Sequence, residues 1–258
     1  MELTAKNVAM MAIFAALYYV LSLIAPIRIP TGVGNLEISF AALIASVIGI
    51  VLGPYLGTAS ALLGASVAWI LPPSGGSLFG LPFLLSPALN ALVTGLIFYR
   101  KWKYGFAVFA AFIVAFLFTP PIWPVTENWL VAIAVLFDKI IALLMIVPVA
   151  LFAKQLSVGK ASLFCFLLFF IGNQADNMWG SFIFATPMVY GLFGYTAADV
   201  QIAFLASPFL YPAVRIVQAL IGMLIAVPLM QALKGTPWLW RKETVLSSEK
   251  EPAASTSI

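Results

Sequence analysis

Residues 38–71 read I-S-F-A-A-L-I-A-S-V-I-G-I-V-L-G-P-Y-L-G-T-A-S-A-L-L-G-A-S-V-A-W-I-L, without a charged side chain anywhere. Near the middle stands Gly53-Pro54. Proline breaks or kinks a helix and glycine relaxes the backbone, so the pair marks a natural break between helices. The stretch therefore divides into two short apolar spans, 38–53 and 54–71, which keep the total number of spans even.

The composition outside this stretch is of the same kind. Hydrophobic residues make up 63% of the 258-residue chain and charged residues 9%, with a mean hydropathy of +1.09. A soluble domain carries roughly 25% charged residues, so this chain cannot cover a water-facing surface and belongs in a bilayer. A membrane barrel would alternate apolar and polar positions, whereas the long unbroken apolar runs here fit helices. Runs near 7–26, 38–53, 54–71, 83–99, 105–120, 130–153, 161–190 and 203–233 give about eight spans. The expected fold is an all-α integral membrane protein, a bundle of about six to eight transmembrane helices. There is no histidine, and Cys165 is the single cysteine. This excludes a disulfide within the chain, His-dependent triads, and metal sites built on His or paired Cys. The first run is expected to be a retained helix rather than a cleaved signal.

Charge placement orients the bundle. With the N-terminus cytoplasmic, Lys6, Arg100, Lys101, Lys103, Lys154, Lys160, Lys234, Arg241 and Lys242 all fall inside. The outer loops hold Arg28, Glu37, Glu127 and Asp199. This is the positive-inside bias; it places the C-terminus in the cytoplasm too, and an odd count of spans would break it. Basic residues gathered at segment ends explain the net charge of +4 without nucleic acid as a partner. The expected organisation is one transmembrane substrate-binding domain, 1–242, and a polar, disordered cytoplasmic tail, 243–258. Outer loops rich in Pro and Gly, around 28–37, 71–82 and 119–129, read as shaped turns. They either simply reverse the chain or form gates over an outward-facing pocket.

Asp138, Lys139, Asp176 and Arg215 lie within the spans, where a lone charge costs roughly 2.5–3.5 kcal/mol on insertion scales. At 1.5 Å per residue, Asp138 and Arg215 sit about 12 and 14 Å from the outer surface and Asp176 about 8 Å. They are expected to share one layer in the outer half of the membrane. In I-G-N-Q-A-D-N-M-W-G, from Ile171 to Gly180, Asn173, Asp176, Asn177 and Gly180 follow a helical stripe, with Gln174 to one side. Arg215, Gln218 and Gly222 form a second stripe, and Ala134 and Ala142 flank Asp138 with small side chains. Either these groups lock helices through ion pairs and amide bonds, or part of the set faces a pocket. The amides offer more hydrogen-bonding capacity than one Arg can satisfy, which favours a polar ligand or ordered water as their partner. The candidate substrate-binding residues are Asn173, Asp176, Asn177, Trp179, Arg215, Gln218 and Asp138; Trp179 is placed to stack on a flat ring or to mark the interface.

Three stretches carry a family resemblance. A-I-F-A-A sets Ala12 and Ala16 four apart in the first helix; G-N-L-E-I-S-F-A-A-L-I-A-S-V-I-G-I-V-L-G-P-Y-L-G runs from Gly34 to Gly57; Y-P-A-V-R-I-V-Q-A-L-I-G-M-L-I-A-V-P-L runs from Tyr211 to Leu229. Together they resemble the substrate-binding S-component of energy-coupling factor (ECF) vitamin transporters. That resemblance implies a plasma-membrane protein that captures a vitamin or its precursor in the outer half of the bilayer. It would dock through Ala12 and Ala16 on a transmembrane coupling subunit driven by two ATPase subunits. The family typically has six spans, two fewer than counted here. The chain lacks a Gly-x-x-x-x-Gly-Lys-Ser/Thr phosphate loop, so no cofactor is expected and ATP would be used only by partner subunits. A rival is an ion-coupled secondary transporter with Asp138 or Asp176 as its proton or sodium site. An enzyme is not expected: the aspartates sit in L-F-D-K and Q-A-D-N, unlike intramembrane aspartyl proteases.

Overall fold

The computed structural model describes residues 4–24, 27–30, 35–38, 41–153, 155, 161–206 and 208–233, with backbone only at 27–30 and 35–38. The elements in order are α1 (Ala5–Ser22), β1 (Ile27–Pro30), β2 (Asn35–Ile38), α2 (Ala41–Ile70), a 3-10 turn (Leu81–Phe83), α3 (Leu85–Phe98), α4 (Trp102–Leu117), α5 (Trp129–Leu151), α6 (Ala161–Phe184), α7 (Pro187–Leu192), α8 (Ala197–Ala206) and α9 (Leu210–Leu233). Among the described residues, five segments are long and apolar enough to cross a bilayer: Ala5–Ser22, Ala41–Ile70, Leu81–Phe98, Trp129–Leu151 and Leu210–Ala232. Helix α6 has the length, 24 residues, but its amides lower its hydropathy; α4 is a shorter apolar helix.

Helix α2 is not one rod. Gly53 has φ 80° and ψ 172°, outside the helical region. A Cβ built on Gly57 would lie 2.9 Å from the Gly49 Cα, although eight residues of straight helix span about 12 Å. The chain folds back on itself at Gly53, and residues 41–52 and 54–70 are two antiparallel arms. Thr58 Oγ1 donates to the Pro54 carbonyl and supports the start of the second arm. The break read at Gly53-Pro54 is thus a tight helical hairpin with two short arms. Only glycine occupies this backbone region readily, so Gly53→Ala is expected to destabilise the protein by about 1–3 kcal/mol. Thermal unfolding in detergent checks this.

The arms form the centre of the bundle, burying Ile48, Ile50, Val51 and Ala61 among others. Helix α1 lies along the second arm, where Ser60 Oγ donates to the Met11 carbonyl at 2.8 Å. It buries Phe14, Ala15 and Tyr18, while Ala12, Ala16, Ile13 and Leu17 face outward. The first arm runs beside α3, held by Tyr99 Oη donating to the Ile50 carbonyl at 2.8 Å. Helix α6 then packs on α3, α4, α5 and α9.

Two boundaries differ from the sequence expectation. The 161–190 run stops at Phe184, and Pro187 opens α7 as its first residue, a position proline favours. The 203–233 run is split into the end of α8 and α9, with Pro208, a helix breaker, between them. Arg215 therefore starts about 8 Å from the outer end of its helix rather than about 14 Å. The 105–153 region consists of two separate helices, α4 and α5. The first outer loop, expected as turns, contains an antiparallel strand pair with Arg28 opposite Glu37. In the 71–84 loop, Gly75 and Gly76 take positive φ, and Tyr19 Oη on α1 donates to the Pro72 carbonyl at 3.2 Å. The predicted tail, 243–258, and Lys154, Lys160, Lys234, Arg241 and Lys242 lie outside the described residues.

Candidate functional site

Polar side chains within the bundle fall into two groups. The first group joins α2, α3 and α6. Asn90 Oδ1 accepts from Ser46 Oγ at 2.6 Å and from Thr94 Oγ1 at 3.2 Å, and Asn90 Nδ2 donates to Asn173 Oδ1 at 3.0 Å. All four residues are buried. Gly172 makes the approach possible: a Cβ there would overlap Thr94 Oγ1 and lie 2.5 Å from Asn90 Oδ1. Buried amides bonded to one another in this way hold three elements in register. Asn173, expected at the ligand, is tied into this packing.

The second group is charged. Asp176 on α6 is buried. The Ser86 hydroxyl on α3 lies within hydrogen-bonding reach of its carboxylate, and Arg215 on α9 acts on it electrostatically. Tyr18 on α1 is close enough to sense the same charge. Among the described residues no direct ion pair joins Asp176 to Arg215; instead Arg215 Nη1 donates to Gln218 Oε1 at 2.8 Å. On α5, Lys139 Nζ pairs with Asp138 Oδ1 at 3.1 Å, both side chains only 4% exposed, and Lys139 is in turn within electrostatic range of Arg215. The charges thus form a chain, Asp138–Lys139–Arg215–Asp176, from α5 through α9 to α6.

Several polar atoms in this layer are buried without a protein partner: Asp138 Oδ2, both ends of the Gln174 carboxamide, Asn177 Nδ2 and Arg215 Nε. Asn177 Oδ1 is satisfied by the Ser181 hydroxyl at 3.2 Å. Gln174, which fell off the predicted stripe, is fully buried and carries more unsatisfied capacity than any residue on it. Its signal in the sequence was its type: an amide within an apolar helix is conspicuous on any face. Ser86, Tyr18 and Asn90 were also missed, because each lies in an otherwise ordinary apolar run.

Trp179 is engaged within the protein. Its indole N–H donates to the Pro82 carbonyl at 3.0 Å, and its ring packs edge-on against Phe112 at 5.2 Å. It ties the outer end of α6 to the loop after α2. A group of three or more Cys, Asp or Glu able to hold a metal does not occur among the described residues.

A family model described as the ECF-type riboflavin transporter, S component, matches residues 2–171, about two thirds of the chain. No curated protein and no solved structure matches. The family match stops two residues before Asn173, so the α6 and α9 polar residues lie beyond it.

Proposed function

The chain belongs to the ECF-type riboflavin transporter S-component family, and on that footing we propose that it captures riboflavin or a related heterocyclic vitamin at the outer half of the plasma membrane. As a member, it is the multi-pass membrane substrate-binding subunit of an ECF transporter. In this reading a transmembrane coupling subunit and two ATPase subunits supply the energy for uptake, and this chain itself performs no catalytic step. Ala12 and Ala16, on the outward face of α1, are available to the coupling subunit. A flavin-type ring would be held from α6 and α9.

Asp176 and Arg215 carry the proposal. Each is electrostatically matched to the other without direct contact, and both lie at the level where a ligand entering from outside would arrive. A charge pair that served only packing would close into a direct bond, because desolvation is offset only by good geometry.

Small molecules released from gently purified protein test this, by mass spectrometry of wild type, Asp176→Ala and Arg215→Ala. A heterocyclic vitamin is expected from wild type and from neither variant, with unfolding curves checking that both variants remain folded. Survival of the same compound in folded forms of both would remove Asp176 and Arg215 from the site. Uptake by this chain alone in vesicles, driven by an ion gradient without ATPases, would displace the capture-subunit reading.

A further inference from the structure

The unpartnered atoms locate the polar part of the ligand more narrowly than the charges do. A helix turns about 100° per residue. On α6, Gly172 faces α3, where a Cβ would meet Thr94. Phe169 faces α9, as the contact from Gly222 shows, and Trp179 and Phe182 face α4 through Phe112. Gln174 lies about 200° around the helix from Gly172, away from all three of these neighbours. It is nevertheless completely buried; α2 meets α6 on the Gly172 side, through Ser46, so the long helix left for the Gln174 side is α5. Asn177 lies about 140° from Gly172, between the α9 and α5 sides.

The level also agrees. Gln174 is ten residues below the outer end of α6 and Asp138 nine residues below that of α5, about 15 and 14 Å respectively. Next to Asp138, Phe137 on α5 meets Phe209, just before α9, with ring centroids 5.8 Å apart. Between the three helices, Gln174, Asn177 and Arg215 present unpaired donors, while Gln174 and Asp138 present unpaired acceptors. Each such group left unsatisfied costs about 1–3 kcal/mol. Two acids and two bases in the layer already balance, so a guest charge would be uncompensated in a medium where that is expensive.

We infer that the seam between α5, α6 and α9 binds the polar edge of an uncharged ligand, with Gln174, Asn177 and Arg215 donating to it and Gln174 and Asp138 accepting from it. The inference rests on the capture function proposed above. It adds Gln174 as the residue that recognises adjacent donor and acceptor groups, such as those of a ring lactam or a hydroxyl chain, and it makes α5 a wall of the site.

The test uses the full chain in detergent, with riboflavin titrated by its fluorescence and any co-purifying compound identified by mass spectrometry. Gln174→Leu and Asn177→Leu are each expected to weaken binding about 5- to 150-fold, the range of one lost hydrogen bond with its partner left buried. The ligand-free melting temperature of Gln174→Leu should hold or rise, since an unsatisfied amide is removed. A structural amide held by internal water would instead give a lower melting temperature and unchanged affinity. That result, or unchanged affinity in both variants, overturns the seam while leaving capture intact. So does a retained ligand that is charged at neutral pH. If an uncharged compound other than riboflavin is retained, the same variants are titrated with it and the same losses are expected. A wild-type chain that retains nothing and binds no riboflavin defeats the capture function itself, and the seam falls with it.

Discussion

Replacing Lys139 with Met will destabilise the protein by about 3–5 kcal/mol, the usual consequence of leaving a buried charge without its partner. Asp138 and Lys139 are each 4% exposed at the side chain and are joined at 3.1 Å. Asp138 Oδ1 also accepts the Lys139 backbone N–H at 2.9 Å. Removing the ammonium leaves a carboxylate in a low-dielectric interior with one oxygen already unpartnered. Asp138→Leu should be of similar severity, because it strands the ammonium near Arg215. The double variant, Asp138→Leu with Lys139→Met, should recover most of the loss or exceed wild type, as apolar replacements of whole buried pairs often do. A double-mutant cycle from unfolding in detergent measures this. Additive losses would show that each residue has some other main partner. The pair comes from consecutive positions of one helix, so it locks no two helices together. Its energetic rationale is local neutrality, which leaves Asp138 Oδ2 and the electrostatic reach of Lys139 toward Arg215 for the layer.

Gly49→Ala is expected to cost about 3 kcal/mol, at the upper end of overpacking effects. A Cβ at Gly49 would overlap the Ala91 carbonyl oxygen and stand 2.9 Å from its carbon. These are backbone atoms in the middle of α3, so no rotamer change relieves the clash; the first arm of α2 and α3 must separate. Separation would also strain the bond from Ser46 Oγ to Asn90 Oδ1. Gly191→Ala serves as the comparison, since a Cβ there meets nothing within 4 Å; its effect should stay within about 1 kcal/mol. A similar loss in both, read from thermal unfolding, would mean that the α2–α3 approach is not the constraint.

The sequence carried much of the architecture because its signals are local. Gly53-Pro54 breaks a helix wherever it stands, and long uncharged runs mark helices without reference to packing. The same locality explains the mistaken boundaries. An apolar run continues through Thr186-Pro187 and across Pro208 because hydropathy is blind to a change of axis; the prolines were visible but were not used to cut the runs. Within the layer, periodicity separated Asn173 from Gln174 correctly by face. It could not say that Asn173 would meet Asn90 while the Gln174 carboxamide would be buried with neither end bonded. Which amide is spent on packing and which is free is a property of neighbours distant in sequence.

The turn at Gly53 leaves its first arm only 12 residues, 41–52, and α4 on the periphery has 16. At 1.5 Å per residue these are about 18 and 24 Å long, against a hydrocarbon core of about 30 Å. The central arm is shielded by its neighbours, but α4 presents Val114 to the surroundings, with Lys103 exposed as its second residue. Acyl chains next to α4 must shorten or splay to cover it, at a fraction of a kcal/mol per Å of mismatch. The lipid bordering α4 is thus expected to thin, so that part of the bilayer's elasticity bears on the protein from that side.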